Sequence, residues 1–378
     1  YTTTGTATAG ADYTGLSGVV TIAAGQSVSA PVTITALTDG TNEPTESVIV
    51  KVAEDTAYQV GAADTASVSI LDNDALTGTP LINNAVLRYN SSGVFQNSYA
   101  NITNAVAGAS ANDIIVMQAG TYTEPGTVNI NKPLTLRGPN AGVSPTDGSQ
   151  VTPAIVQNTL GQPVFTIAAG ANNVTIEGLT IQMGGNNGIY LYENPANLVI
   201  RQNTFTGSGP ANSGVMYLQG GVASGSSFSA TVVDNLIRDV SSSSSTTSGV
   251  QVLNFGTIRV TDNQIANLTG PGVAADSVTN FGVITANKVS NVGEQGIQLA
   301  GGNGTIDNND ITNANTINDI NRGGIRLRDG AVAALGNVSV VSNTITNSYN
   351  GVVIRPTTNV TSTVNVNNNN LIGNANAG

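Results

Sequence analysis

Two short phrases of alternating apolar residues recur in step along the second half of the chain. The first, Gly-[Ile/Val]-x-apolar, occurs as Gly188-Ile189-Tyr190-Leu191, Gly214-Val215-Met216-Tyr217, Gly249-Val250-Gln251-Val252, Gly272-Val273-Ala274-Ala275, Gly296-Ile297-Gln298-Leu299, Gly324-Ile325-Arg326-Leu327 and Gly351-Val352-Val353-Ile354. The second, Asn-x-apolar, runs beside it as Asn203-Phe205, Asn235-Ile237, Asn263-Ile265, Asn287-Val289, Asn309-Ile311, Asn343-Ile345 and Asn369-Leu371. Phase-locked repeats of this period predict stacked coils rather than one closed core. Alternation within a Gly phrase sends Ile325 and Leu327 inward and Arg326 and Arg328 outward. The Asn column falls where each coil bends: stacked amides can hydrogen-bond coil to coil there, and Asn tolerates the backbone angles of a bend.

Upstream, 113–117, 128–130, 134–136, 164–167 and 174–176 are short β-branched runs that read as strands. Residues 97–107 place Ile102, Ala105 and Val106 at i, i+3 and i+4, which predicts one short helix. That helix, Gly120-Thr121-Tyr122 and Lys132-Pro133-Leu134-Thr135-Leu136-Arg137-Gly138 resemble the opening of pectate-lyase-like right-handed parallel β-helices. The resemblance implies that the helix caps the first coil. About ten coils at roughly 4.8 Å give a rod about 50 Å long. Uneven repeat intervals predict bulging loops, the longest over 224–248 and 313–321, with Ser241-Ser242-Ser243-Ser244-Ser245 a flexible one. The last coil reaches Leu371 without a capping element, which predicts open strand edges there and marks that end as either a boundary within a longer protein or a contact surface.

Residues 1–75 carry a different pattern. The runs 19–22, 32–34, 48–52 and 66–70 alternate and are separated by turns, which predicts an antiparallel sandwich. Its acids gather in three turns, at Asp12, at Asp39, Glu43 and Glu46, and at Asp72 and Asp74. The stretch Gly5 to Tyr13, the Glu43/Glu46 pair and the closing Ile70-Leu71-Asp72-Asn73-Asp74 resemble a Calx-beta domain. The resemblance implies a sandwich that binds Ca²⁺ through Asp12, Asp39, Glu43, Glu46, Asp72 and Asp74. Such a set suits a cation that takes six to eight oxygen ligands. It also enters the family pattern one or two strands late, so the fold expected is an incomplete sandwich (1–75), an entry segment (76–95) and a parallel β-helix with its capping helix (96–378), all-β throughout. An incomplete sheet invites strand addition from the next molecule and head-to-tail filaments; the alternative is that the missing strands belong to a longer chain.

Composition narrows the function. The chain has no Cys and no His, 12 basic and 23 acidic residues, and a net charge of −11. Disulfides, thiolate chemistry and imidazole bases are excluded. A basic footprint for nucleic acid is lacking, and no apolar run reaches membrane-span length. Residues 1–75 hold nine acids and one base, so the acidity belongs to the N-terminal unit.

Candidate chemistry on the coils lies in the outward column of the Gly phrases. Read by phrase alignment, the column runs Tyr190/Tyr192, Met216/Leu218, Gln251/Leu253, Ala274/Asp276, Gln298/Ala300, Arg326/Arg328 and Val353/Arg355. Arg322, Arg326, Arg328 and Arg355 fall within 34 residues and, with Tyr190 and Tyr192, form a candidate glycan-binding set; a carboxylated or sulfated glycan suits guanidinium groups. The opposing reading is a surface patch partly neutralised by Asp319 and Asp329. Paired carboxylates for glycoside hydrolysis are not evident; Asp234 and Asp262, each before a column Asn, read as polar bends. Lyases or epimerases using a Tyr/His pair are excluded by the absence of His, whereas an Arg base with carboxylate-held Ca²⁺ is not. The expectation is an extracellular or cell-surface structural or adhesive protein, Ca²⁺-binding and self-associating or joined to neighbouring domains. The alternative is a β-helix that binds or cleaves polysaccharide.

Overall fold

The computed structural model describes residues 1–25, 28–37, 46–55, 58, 60, 64–70, 85–192, 196–220, 229–240, 246–278, 281–331, 334–355 and 363–375. The chain divides into two compact units, one of residues 1–80 and 89–96, the other of residues 81–88 and 97–378.

In the first unit, strands Thr2–Gly5, Glu46–Lys51 and Thr65–Ile70 form an antiparallel sheet with the middle strand central. Tyr13, Val48 and Ile70 make a small core. The strands expected over 19–22 and 32–34 do not form. Val19 is 70% exposed and Ile22 56%. A strand needs a partner ladder to fix it, and among the described residues the pairing here is Tyr13 against Ala36, with Thr14 N–H donating to Thr35 O and Leu37 N–H to Asp12 O, each at 2.9 Å.

The second unit is a three-faced parallel β-helix. Each coil visits a sheet that follows the Asn column (the Asn sheet, ten strands), one that carries the Gly phrase (the Gly sheet, nine strands) and a third sheet of twelve. One coil runs Gln264–Leu268, Val273–Asp276 and Phe281–Thr285; the next opens at Lys288–Val292, parallel to and in register with Gln264–Leu268. Inward positions stack into columns, such as Ile189, Met216, Val250, Val273, Ile297 and Ile325, all 0% exposed. Two strands, Ser229–Val233 and Leu236–Arg238, occupy part of the stretch expected to be a long loop. The serine run 241–245 lies outside the described residues. The capping helix is shorter than expected, Ile102–Gly108, because Asn101 caps it and Phe95–Tyr99 is a strand. Buried Glu124 accepts from the Ile102 and Thr103 N–H groups at 2.8 and 3.0 Å, satisfying the helix start.

The Asn column is a continuous ladder from Asn203 to Asn369, buried as far as Asn343 and half-buried at Asn369. Asn263 donates through Nδ2 to Val232 O, Thr261 O and Asn287 Oδ1 at 2.9–3.0 Å, so one amide bridges three coils. The residue before each ladder Asn is left-handed, with φ near +55° at Gln202, Asp234, Asp262, Ala286, Asn308, Ser342 and Asn368. Four residues after the ladder comes a second left-handed position, held by Gly207, Asp239, Asn267, Asn291, Asn313, Asn347 and Gly373. Exposed amides there also bond coil to coil, Asn291 to Asn267 at 3.1 Å and Asn313 to Asn291 at 2.9 Å.

The two phrases stay in phase for a steric reason. A Cβ on Gly296 would lie 2.5 Å from Ile311 Cγ2, and one on Gly324 would lie 2.3 Å from Ile345 Cγ2. The phrase glycine therefore makes room for the apolar residue of the next coil's Asn phrase. Gly214 stands outside this scheme: its Cβ would meet Met216 O and Gln251. The register Ile189 to Met216 puts Val215, not Gly214, opposite Gly188.

Candidate functional site

That one-residue offset changes the outward column. Met216 and Leu218, expected to face out, are fully buried. Tyr217 and Gln219 face out instead, paired across the ladder with Tyr190 and Tyr192. Tyr190 stacks on Tyr217 with ring centroids 5.3 Å apart and planes 9° apart, and on Tyr192 at 6.4 Å and 3°. The Tyr217 hydroxyl bonds Gln219 Oε1. Burial pushes the Tyr217 phenol up, with a smaller contribution from Tyr190 and Tyr192.

Four coils further along, the strand Ile325–Arg328 carries Arg326 and Arg328 outward. The next strand, Val352–Arg355, sets Arg355 opposite Arg328. The loop before Ile325 brings Arg322 in, because buried Asn315 ties it together: Asn315 Nδ2 donates to Asp319 O at 2.7 Å and to Arg322 O at 2.8 Å. The structure thus unites the four arginines around one cleft of about 550 Å³, with Asp319, Asn321, Asp329, Gly330 and Ala331 completing its wall.

Within the cleft the arginines are unequally partnered. Arg322 pairs with Glu294 and, at 3.0 Å, with Asp319. Arg328 donates to Asp276 Oδ2 at 2.5 Å and to Asp329 O at 2.7 Å. Asp276 is further bound by Ser277 Oγ at 2.9 Å and Ala331 N–H at 3.2 Å. Gln298, 6% exposed, accepts through one oxygen from Gln295 Nε2, Arg326 Nη1 and Arg328 Nε at 3.0, 3.3 and 3.4 Å. Arg326 differs. Among the described residues it has no ion pair, Gln298 is its hydrogen-bond partner, and its buried Nε has none. Burial lowers the Arg326 guanidinium from its usual value, and Arg328, Arg322 and Arg355 repel it further against the pull of Asp319. A desolvated cation with an unmet donor among like charges favours an anion. Arg355 is exposed.

The sequence marked Arg322, Arg326, Arg328, Arg355, Tyr190 and Tyr192. The structure gathers the arginines and, separately, the two tyrosines. It adds Tyr217, Gln298 and Asp276 to the face. Tyr217 was hidden by the Gly214 offset; Gln298 and Asp276 were in the column and carried no sign that they organise Arg326 and Arg328.

In the first unit Asp12 is buried and its carboxylate accepts from Thr8 N–H. Glu46 opens the central strand, paired with Ile70. Asp39, Glu43, Asp72 and Asp74 lie outside the described residues. Among the described residues no group of three or more acids is arranged to hold a metal ion. No helix there is long and apolar enough to cross a membrane.

Comparison with known families agrees with both units. Residues 1–74 match the Calx-beta domain, and residues 220–378 match the right handed beta helix region. No curated protein sequence matches the chain. Similar solved structures include an alginate lyase from Paenibacillus sp. str. FPU-7, at 15% identity, 73% of this chain, 94% of that one and a TM-score of 0.44. They also include the A-module of the mannuronan C-5 epimerase AlgE4 from Azotobacter vinelandii, at 14% identity, 72% of this chain, 89% of that one and a TM-score of 0.37. At these identities the likeness concerns the fold.

Proposed function

We propose that this protein is an extracellular β-helix that binds an acidic polysaccharide on its Gly sheet, with an N-terminal Ca²⁺-binding unit. The observation that carries the glycan reading is Arg326, a half-buried guanidinium whose Nε has no hydrogen-bond partner, lining an open cleft beside exposed Arg355. A sugar carboxylate or sulfate supplies the planar or multidentate acceptor that a guanidinium fork takes. It also offsets the repulsion that Arg328, Arg322 and Arg355 exert on Arg326. The polysaccharide alternative therefore takes precedence over a purely structural rod.

Binding without cleavage is the form of this reading that the cleft supports. Its carboxylates are already engaged: Asp276 with Arg328, Ser277 and Ala331, Asp319 and Glu294 with Arg322, and Asp329 with Leu335 N–H at 2.9 Å. A rod that grips a polymer without breaking it fits an adhesive role, holding a surface to a matrix.

The test is affinity electrophoresis in gels containing alginate, polygalacturonate or a neutral glucan. Acidic gels should retard the protein and the neutral gel should not. Arg326→Gln should weaken retardation about tenfold, the scale of one charge-assisted contact, and salt should weaken it in the native protein. Equal retardation by the neutral glucan, or an unchanged Arg326→Gln variant, overturns the reading. Release of unsaturated sugar ends from either acidic polymer would turn it into a lyase.

A further inference from the structure

Resting on that reading, we infer that the tyrosines form a second subsite for the same glycan, binding a sugar ring by its apolar face. Tyr190, Tyr192 and Tyr217 lie nearly parallel on the outer surface of the Gly sheet, and Tyr192 is 58% exposed. Tyr190 and Tyr217 are half-buried against each other, and the outer ring surface that remains, with exposed Tyr192, offers the flat apolar face that the C–H side of a pyranose ring matches. A polar group completes the arrangement. Gln251 follows Tyr217 in the ladder, and its side-chain oxygen is buried with no hydrogen-bond partner. An unmet acceptor beside an aromatic surface suits a ligand rich in hydroxyl donors.

The occupant is set by continuity with the arginine cleft. One ladder column runs Tyr190, Tyr217, Gln251, Ala274, Gln298, Arg326. Its middle is Ala274, 8% exposed, flanked by polar Gln251 and Gln298. From Tyr217 to Arg326 is four coil steps, about 19 Å at strand spacing. Both ends therefore belong to one extended polymer laid along the rod, acidic group at the arginines and ring face at the tyrosines. Linking two weak contacts through one chain raises affinity without any new contact, provided the ligand is long enough to span them.

The experiment is calorimetric titration with size-fractionated oligouronates, from dimers to decamers. Short fragments should bind weakly at the arginines. Affinity should rise about tenfold or more once the oligomer spans the two subsites. Tyr217→Ala and, at the more exposed position, Tyr192→Ala should abolish that gain with length. Arg326→Gln should weaken all lengths. Near-ultraviolet circular dichroism adds a direct readout, because the chain has no Trp and the signal comes from Tyr and Phe; long oligomers should perturb it and dimers should not. Affinity that does not rise with length, or tyrosine variants that keep the gain, overturn the second subsite and leave the arginine site standing. If no oligouronate of any length binds the native protein, the glycan reading and this subsite fall together.

Discussion

At the scale of single residues, the Gly sheet holds a charge whose surroundings cost stability. Arg326 keeps a desolvated charge that its surroundings only half satisfy. Replacing an incompletely paired buried ion by an apolar side chain of similar length is often stabilising. Arg326→Met is therefore expected to raise the melting temperature of the β-helix by on the order of 2 °C while glycan affinity falls about tenfold. Calorimetry and titration on the same sample check both. Asp234 makes a second case. Burial raises its carboxyl above the usual 3.8, helped by Asp262 and Asp147 and opposed by hydrogen bonds from Ser144, at 2.7 Å, and Gln202. A carboxyl raised in the folded state binds protons more readily there than in the unfolded chain. It thus costs stability above its folded value, and the cost disappears as pH falls below about 3.8. Asp234→Asn keeps the acceptor for Ser144 and suits the left-handed backbone. Its melting point should exceed the native one at pH 7, with the difference closing towards pH 3. The arginines were legible because alternation fixes which side of a strand a residue takes. Tyr217 was not, since a one-residue offset inverts every side chain after it.

At the scale of elements, the two Asn ladders look alike in sequence and differ in worth. Asn263 is buried, and its loss would remove the bonds of its Nδ2 to Val232 O, Thr261 O and Asn287 Oδ1 and take from the Asn235 backbone N–H its acceptor, although Thr261 O keeps the Asp234 N–H at 3.1 Å. Asn263→Ala should cost about 3 kcal/mol, the scale of several lost buried hydrogen bonds and one unmet buried N–H. Asn291 is exposed and left-handed. Asn291→Gly fits the backbone and should cost less than about 1 kcal/mol. Urea unfolding of the two variants separates them; equal losses would mean that burial does not set the value of a ladder amide. The outer ladder was written in the sequence as Asn-x-x-x-Asn, from Asn263/Asn267 to Asn343/Asn347. It is invisible to a search for apolar periodicity, because both partners are polar. The opposite failure occurred at 19–22 and 32–34, where alternation was present and the partner strand was not. Local pattern states a preference for extended backbone, and a ladder requires a second chain segment to realise it.

At the scale of the whole molecule, the repeats and the N-terminal unit obey different rules. In the β-helix each coil contacts its neighbours, so its stability is a sum of coil and interface terms. This is why its architecture was readable from two phrases. The N-terminal unit rests on a small core of Tyr13, Val48 and Ile70 and carries most of the chain's excess negative charge. Such a unit depends on whatever neutralises its acids. Two compact units predict two calorimetric transitions, and ligands should address them separately. With an extracellular-type dissociation constant of about 1 mM, 10 mM Ca²⁺ adds roughly 1.4 kcal/mol by mass action. For a domain of this size that is a shift of about 5–10 °C. Ca²⁺ should therefore move the transition of the N-terminal unit and leave that of the β-helix in place; a chelator should reverse it, and Asp12→Asn should blunt it. An acidic oligosaccharide should do the converse. If Ca²⁺ moved the β-helix transition instead, the cation would belong to the glycan face, and the acidic turns would be solvated loops.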